Sequence, residues 1–480
     1  MAAASTAWLP IERALGDLEG QIYRELRERI LSGEIAAGQR LPSTRDLSRS
    51  LGLARSTVVN AYERLKAEGY LEARSGSASR VAVLNTSPLG ERAKPAAPMP
   101  TMTPAPSMLL EPGPPDLEHF PHAAWARCLA ARARRLRIHD LGYGDACGLR
   151  DLREAIAEHL AATRGVTARP EQVLILPSTR VAIDLLAGLR LKDAGSNRVW
   201  MEEPGYPSAK TLMRAAGGEI VPIACDAAGI DVGKAGGLPP SIIYVTPSHQ
   251  YPTGATMSLQ RRLALLDLAQ ATGALILEDD YDSDFQYGSR PIASLQGIDR
   301  NGVVAYLGTF SKILAPGLRV AYAIVPSWLA AEASAALQMR GAVVSVHIQA
   351  ALADFIRDGR LRAYLRQMNA IYATRMRATT DALRRHCGHL LDIAEGAGGL
   401  QLASWFKDAS VDDEDIARAL RGHGLAPQPM SRFHVGTPRT GLLFGIARVV
   451  PAEIDVIAAR LAKLIEAQLE RGAVRASEEA

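Results

Sequence analysis

The chain has 480 residues, 48% hydrophobic and 22% charged, with 55 Lys and Arg against 51 Asp and Glu. That length exceeds one ordinary core and predicts two to four domains. No apolar run approaches the roughly 18 residues of a membrane helix, and the opening MAAASTAWLP lacks the basic-then-apolar order of a signal peptide. A cytoplasmic protein with no membrane partner is therefore expected. Its four scattered cysteines, without a C-x-x-C pair, fit a reducing compartment and give no metal framework.

The positive charge is concentrated near the start. Residues 40–80 hold eight basic and four acidic side chains, so this segment alone carries the whole excess of +4, as phosphate binding requires. Just before it, QIYRELRERILSGEI spaces Ile22, Leu26 and Ile30 at helical intervals, with Gly33 as a stop. LPSTRDLSRSLGL offers Ser43 as an N-cap with Asp46 three residues on, and Gly52 for a turn. ARSTVVNAYERLKAEGY then gives an apolar face of Val58, Ala61, Tyr62 and Leu65, ended by Gly69, and YLEARSGSASRVAV reads as a short ribbon. This order predicts a winged helix-turn-helix over residues 15–83. Arg55, Ser56 and Thr57, at the start of the third helix, would read the bases of a double-stranded DNA operator. Arg45 and the wing turn at Gly76 would grip phosphates or the minor groove. A three-helix packing module without a ligand is the plainer alternative, and the convergence of charge and a polar helix start on one face argues against it. LPSTRDLSRSLGLARSTVVNAYERLKAEGYL also resembles the GntR-type regulators, whose DNA-contacting positions fall on the same five residues.

Ten prolines between Pro88 and Pro121 resist packing and predict a semi-rigid linker over residues 84–109. From residue 110 the pattern changes. QVLILP, RVWMEE, EIVPIA, SIIYVTP, ALILEDD and VVAYLGTF read as buried strands, with amphipathic stretches such as RVAIDLLAGLRL and LQRRLALLDLAQATG between them. That alternation predicts a doubly wound, mostly parallel α/β sheet with sites at strand ends, in a large subdomain of about 125–326. A smaller α+β subdomain would fill about 327–480.

Lys312 follows the end of one such strand, in YLGTFSKILAPGLR, and is one of only eight lysines. A lysine that forms a Schiff base needs partial desolvation to free its amine, and a phosphate-bearing aldehyde needs anion donors nearby. Thr309 and Ser311 supply hydroxyls and Arg319 a fork suited to phosphate. Ser178 and Thr179 stand where a strand runs into a helix, whose amides favour phosphate. Asp279 could keep a pyridine nitrogen protonated, Tyr281 could bond a ring hydroxyl, and Tyr206 could stack on the ring. Each alone has an ordinary structural reading as a cap or core residue. Together, at successive strand ends, they favour a pyridoxal 5'-phosphate site.

TPSHQYPTG, EDDYDSDF and GTFSKILAPGLR resemble the class I aminotransferases of fold type I. The resemblance implies the Schiff-base role for Lys312, the pyridine partner for Asp279, and phosphate contacts for Ser178, Thr179, Thr309 and Arg319. It also implies a homodimer in which Tyr143, in YGDACGLRDLR, reaches the partner subunit's phosphate. The order of the whole chain, with EPGPPDLEHFP after the linker, is similar to the MocR/GabR subfamily of transcription factors. The chain departs from the aminotransferase pattern at Tyr251, where asparagine is usual, at Pro177-Ser178-Thr179, and at Leu443, where an arginine usually meets a substrate carboxylate. Arg432 or Arg439 would have to replace that arginine. The expected function is a DNA-binding regulator that senses an amino compound or a vitamin B6 vitamer through its cofactor. The alternatives are a working aminotransferase with an appended DNA-binding domain, and a cofactor-free dimerisation scaffold.

Overall fold

The computed structural model describes residues 9–72, 79–83, 108–135, 138–192, 195–287, 293–341 and 344–479, which fall into two units, Met1–Ala105 and Pro106–Ala480. In the first unit, helices Leu18–Leu31, Thr44–Leu51 and Arg55–Ala67 precede a ribbon of β1 (Leu71–Glu72) and β2 (Arg80–Val81), paired antiparallel. The apolar spacing read from the sequence closes its core: Ile22, Leu26, Leu47, Val58, Ala61 and Leu65 are all fully buried. Ser43 caps the second helix by accepting from the Asp46 amide at 3.1 Å, while its hydroxyl donates to the Asp46 carboxylate at 2.6 Å. The expected capping box thus closes side chain to side chain. Gly52 takes the left-handed turn (φ 63°) that lets the next helix start at Arg55. Leu9 is buried in this core, so the ordered unit begins earlier than residue 15. Gly76 and residues 84–107 of the linker lie outside the described residues. Met108 and Leu109, expected in the linker, are hydrogen-bonded into the second unit.

The second unit is built on an eight-stranded sheet. Its strands are β3 (Val173–Leu176), β4 (Arg198–Glu203), β5 (Glu219–Asp226), β6 (Gly229–Ile230), β7 (Ile242–Val245), β8 (Leu275–Asp280), β9 (Val304–Thr309) and β10 (Ala321–Ile324), in the order β3-β10-β9-β8-β7-β4-β5-β6. The run β9-β8-β7-β4-β5 is parallel, while β10 is antiparallel to both neighbours and β6 to β5. Strands β3, β7, β8 and β9 are buried along their whole length, as expected of a sheet covered on both faces. Helices Thr179–Lys192 and Leu259–Thr272 are among those between strands. The smaller subdomain has a four-stranded antiparallel sheet of β11 (Leu391–Ile393), β12 (Gln401–Phe406), β13 (Gln428–Pro429) and β14 (Gly441–Gly445), in the order β11-β12-β14-β13. The long helices Arg360–Cys387 and Ile454–Glu479 belong to it.

Candidate cofactor cleft and nucleic-acid interface

The carboxyl ends of the parallel strands converge on a cleft of about 400 Å³. Period-two alternation sorts the acids of EDDYD. Glu278 faces away and accepts from the Leu295 and Gln296 amides at 2.7 and 2.8 Å. Asp280 also faces away, paired with buried Arg164 at 3.0 Å and accepting from the Tyr306 hydroxyl at 2.6 Å. Asp279, between them, must face the opposite side, and it lines the cleft. One of its oxygens accepts from the Tyr244 hydroxyl at 2.6 Å; the other is buried and has no partner among the described residues. Burial pushes the Asp279 carboxyl up to about 6.

Lys312 lies across the same cleft, on the single-turn helix Phe310–Ile313 that follows β9. Its Nζ donates to the Gly113 carbonyl at 2.7 Å. Burial pushes the amine below its ordinary value, opposed by Asp282 and Asp279 and reinforced by Arg180. Thr309 caps the short helix by accepting from the Ser311 amide at 3.1 Å. Ser178 and Thr179 stand at the start of helix Thr179–Lys192, and Arg319 takes a left-handed backbone (φ 53°) after Pro316–Leu318. All of these, with Tyr206 and Tyr281, line the cleft. Tyr251, in place of the usual asparagine, packs edge-on against Tyr206, Tyr281 and Phe433, with ring centroids 5.3–5.7 Å apart. It fills the position with apolar surface rather than an amide.

The structure therefore brings together nine residues singled out in the sequence: Ser178, Thr179, Tyr206, Asp279, Tyr281, Thr309, Ser311, Lys312 and Arg319. Tyr143 is fully exposed and does not line the cleft of its own chain. The arginines proposed for an effector carboxylate need correction as residues of this cleft. Arg432 is exposed, 3.6 Å from Glu414, and Arg439 lies over the Trp405 ring at 4.7 Å beside a separate cavity. Neither lines the cleft, although Phe433, beside Arg432 on the short helix Met430–Phe433, packs against its Tyr251. The sequence reading also passed over Tyr244, Gly113, Pro114, Arg180 and Gln401, all of which line the cleft. A tyrosine in the buried run SIIYV, one strand from Asp279, was the available signal for the first; Gly113 lies within EPGPPDLEHFP, and for Gln401 the sequence held none.

In the first unit, Arg45, Arg55 and Ser56 are exposed and Thr57 is half-buried. Neither arginine makes an ion pair among the described residues. Helix Arg55–Ala67 starts without a side-chain cap; the Thr57 amide donates to the Ala54 carbonyl at 3.1 Å, while the helix start and those basic groups still favour an anion.

Residues 18–81 match the model for bacterial regulatory proteins of the gntR family, and residues 120–461 that for aminotransferase class I and II. The probable rhizopine catabolism regulatory protein MocR of Rhizobium meliloti is 38% identical over 447 residues, 90% of each chain. The chain belongs to the MocR-type regulators, a gntR helix-turn-helix joined to a class I/II aminotransferase domain. Among other members of this family, the pyridoxine biosynthesis transcriptional regulator PdxR of Corynebacterium glutamicum is 32% identical, over 88% of this chain and 91% of its own. Kynurenine aminotransferase of Pyrococcus horikoshii shares the fold of the second unit, with a TM-score of 0.70 at 24% identity over 76% of this chain and 92% of its own. The relatives thus span both units. Among the described residues, no helix is long and apolar enough to cross a membrane.

Proposed function

We propose that this MocR-type regulator binds an operator through its first unit and holds pyridoxal 5'-phosphate at Lys312 in its second. In this reading it senses an amino compound or a vitamer in the same cleft. The observation that carries the reading is the unpartnered buried oxygen of Asp279 sharing a cleft with a partly desolvated lysine. A lone carboxylate oxygen kept from water is costly, and a protonated pyridine nitrogen is a donor that would satisfy it. The donor set at the other end fits a phosphate: two hydroxyls at a helix start, two beside Lys312, and Arg319. Bound there, the cofactor supplies an aldehyde that condenses with primary amines and a ring that withdraws electrons.

The protein's own contribution is to hold and orient. Tyr244 holds the Asp279 carboxylate, Tyr206 and Tyr281 would wall the ring, and burial makes the Lys312 amine easier to deprotonate than a free lysine. Homodimerisation would add the partner subunit's Tyr143 to the phosphate end. An effector amine alters DNA binding only through different affinities for two states of the protein. The decisive experiment pairs the visible absorbance spectrum with operator gel shifts, for wild type and Lys312→Ala. The wild type should form a visible band with pyridoxal phosphate, and amines from a panel should change both band and operator affinity. Lys312→Ala should lose band and response, while operator affinity without effector stays within a few-fold. A variant that loses the band yet responds normally would sink the sensing role. Multiple-turnover production of keto acid would favour a working aminotransferase instead.

A further inference from the structure

Residues 108–116 form a strap across the smaller subdomain. At one end the Leu109 amide donates to Gly424, the Ala426 amide to Leu109, and the Gly445 amide to Leu110, at 3.1, 2.9 and 2.8 Å. Arg448 donates to the Met108 carbonyl at 2.8 Å and lies 3.5 Å from Glu111. Packing there is tight, since a Cβ on Gly445 would sit 2.1 Å from the Glu111 carbonyl oxygen. At the other end the Asp116 amide donates to the Tyr372 hydroxyl at 2.9 Å, and the buried Asp116 carboxylate holds Arg375 at 2.8 Å and His119 at 2.7 Å. Between these anchors lie Pro112, Pro114 and Pro115, which have no amide to donate and a fixed φ. Among the described residues, the one side chain that hydrogen-bonds the backbone of 112–115 is Lys312, on the Gly113 carbonyl at 2.7 Å. The strap leads back along the chain directly into residues 84–107, which join the two units in sequence.

We infer that this strap reports the chemical state of Lys312: it is held while Nζ is a free amine and loosened when that amine is consumed. Condensation of a primary amine with an aldehyde forms a C=N bond and expels the aldehyde oxygen as water, carrying both N–H hydrogens. The donors aimed at Gly113 are then spent. An incoming amine that takes over the carbon returns the lysine to a free amine, and with it the bond to Gly113. Because the strap is stiffened by prolines and anchored at both ends, loss of its middle contact is felt along its length. The part of the inference that concerns the aldehyde rests on the pyridoxal reading; the hydrogen-bond part does not.

Hydrogen–deuterium exchange on the full chain tests both parts. In cofactor-free protein, Lys312→Ala should exchange the 108–116 amides roughly five- to tenfold faster than wild type, the factor one ordinary net hydrogen bond is worth. Lys312→Arg, which keeps a donor, should remain close to wild type. Pyridoxal phosphate added to wild type should speed exchange by a similar factor, and O-methylhydroxylamine, which captures the aldehyde as an oxime and frees the lysine, should restore slow exchange. Unchanged exchange in helix Arg360–Cys387 marks intact folding. Identical strap exchange in wild type and Lys312→Ala overturns the inference. If no visible band forms with pyridoxal phosphate, the cofactor reading fails, and the cofactor-free comparison of Ala with Arg still decides the strap.

Discussion

Asp279 buries one carboxylate oxygen without a partner among the described residues, a cost to the fold that a ligand's donor would offset. Its carboxyl titrates near 3.8 in an unstructured chain and is raised to about 6 here, chiefly by burial. A raised carboxyl binds its proton more tightly in the folded state than in the unfolded one. Its contribution to stability is therefore complete below about pH 4 and is lost as pH climbs through 6. A two-unit shift corresponds to about 3 kcal/mol at most. In cofactor-free protein, Asp279→Asn should then be more stable than wild type at pH 7.5 by up to that amount, with the difference vanishing near pH 4. Denaturant melts across this range measure it. The same variant should bind pyridoxal phosphate roughly ten- to a hundredfold more weakly, since a hydrogen bond between charged groups has been removed. A variant no more stable than wild type at neutral pH would show that the unpartnered oxygen carries no cost. Tyr244, which holds the other oxygen, escaped the sequence reading because a tyrosine inside a run of isoleucines and valine reads as core. Its hydroxyl acquires a purpose only once β7 and β8 are side by side.

Among the elements, helix Arg55–Ala67 had the clearest outline in the sequence, because its apolar face and the glycines on either side are local signals. The six strands named from buried apolar runs appear for the same reason. Strand β10 was missed: AYAI is short and follows Lys312 closely. Its place between β3 and β9, antiparallel to both, depends on partners more than a hundred residues away on one side. Met108 and Leu109, the start of the strap, fell within the expected linker because proline density reads as linker whether or not the backbone finds partners. Arg432 and Arg439 were put forward only as substitutes for a missing arginine, and chain proximity to Leu443 did not bring them to the cleft. For helix Arg55–Ala67, proposed to read the operator, the consequence is quantitative. Exposed Arg55 at its first turn is expected to make a bidentate base contact worth about 1–3 kcal/mol, so Arg55→Ala should weaken operator binding about ten- to a hundredfold. Arg45→Ala, if Arg45 grips a phosphate and not the minor groove, should instead weaken binding to all sequences alike and lower the salt slope by about one. Gel shifts at several salt concentrations separate the two, and unchanged operator affinity in Arg55→Ala would refute the placement.

At the scale of the whole molecule, the first unit has a core of its own, built from residues between Leu9 and Val81, and the described residues that line the candidate cleft all belong to the second. Each should therefore fold without the other. A fragment of residues 106–480 should keep the visible band with pyridoxal phosphate and, if Tyr143 serves the partner subunit's phosphate, should remain a dimer in light scattering. A fragment of residues 1–105 should bind operator DNA as a monomer. If the full chain pairs as proposed, the fragment would lose the linkage that makes a second half-site contact intramolecular, a gain that spans about 10²–10⁴ in affinity for linked modules. Its operator binding should be weaker by on the order of a hundredfold or more, and it should not respond to any amine. Recovery of tight binding on fusing this fragment to an unrelated dimerising domain would show that the second unit supplies pairing as well as sensing. A monomeric 1–105 fragment that binds as tightly as the full chain would mean that one head reads the whole operator, and the requirement for a dimer would fall with it.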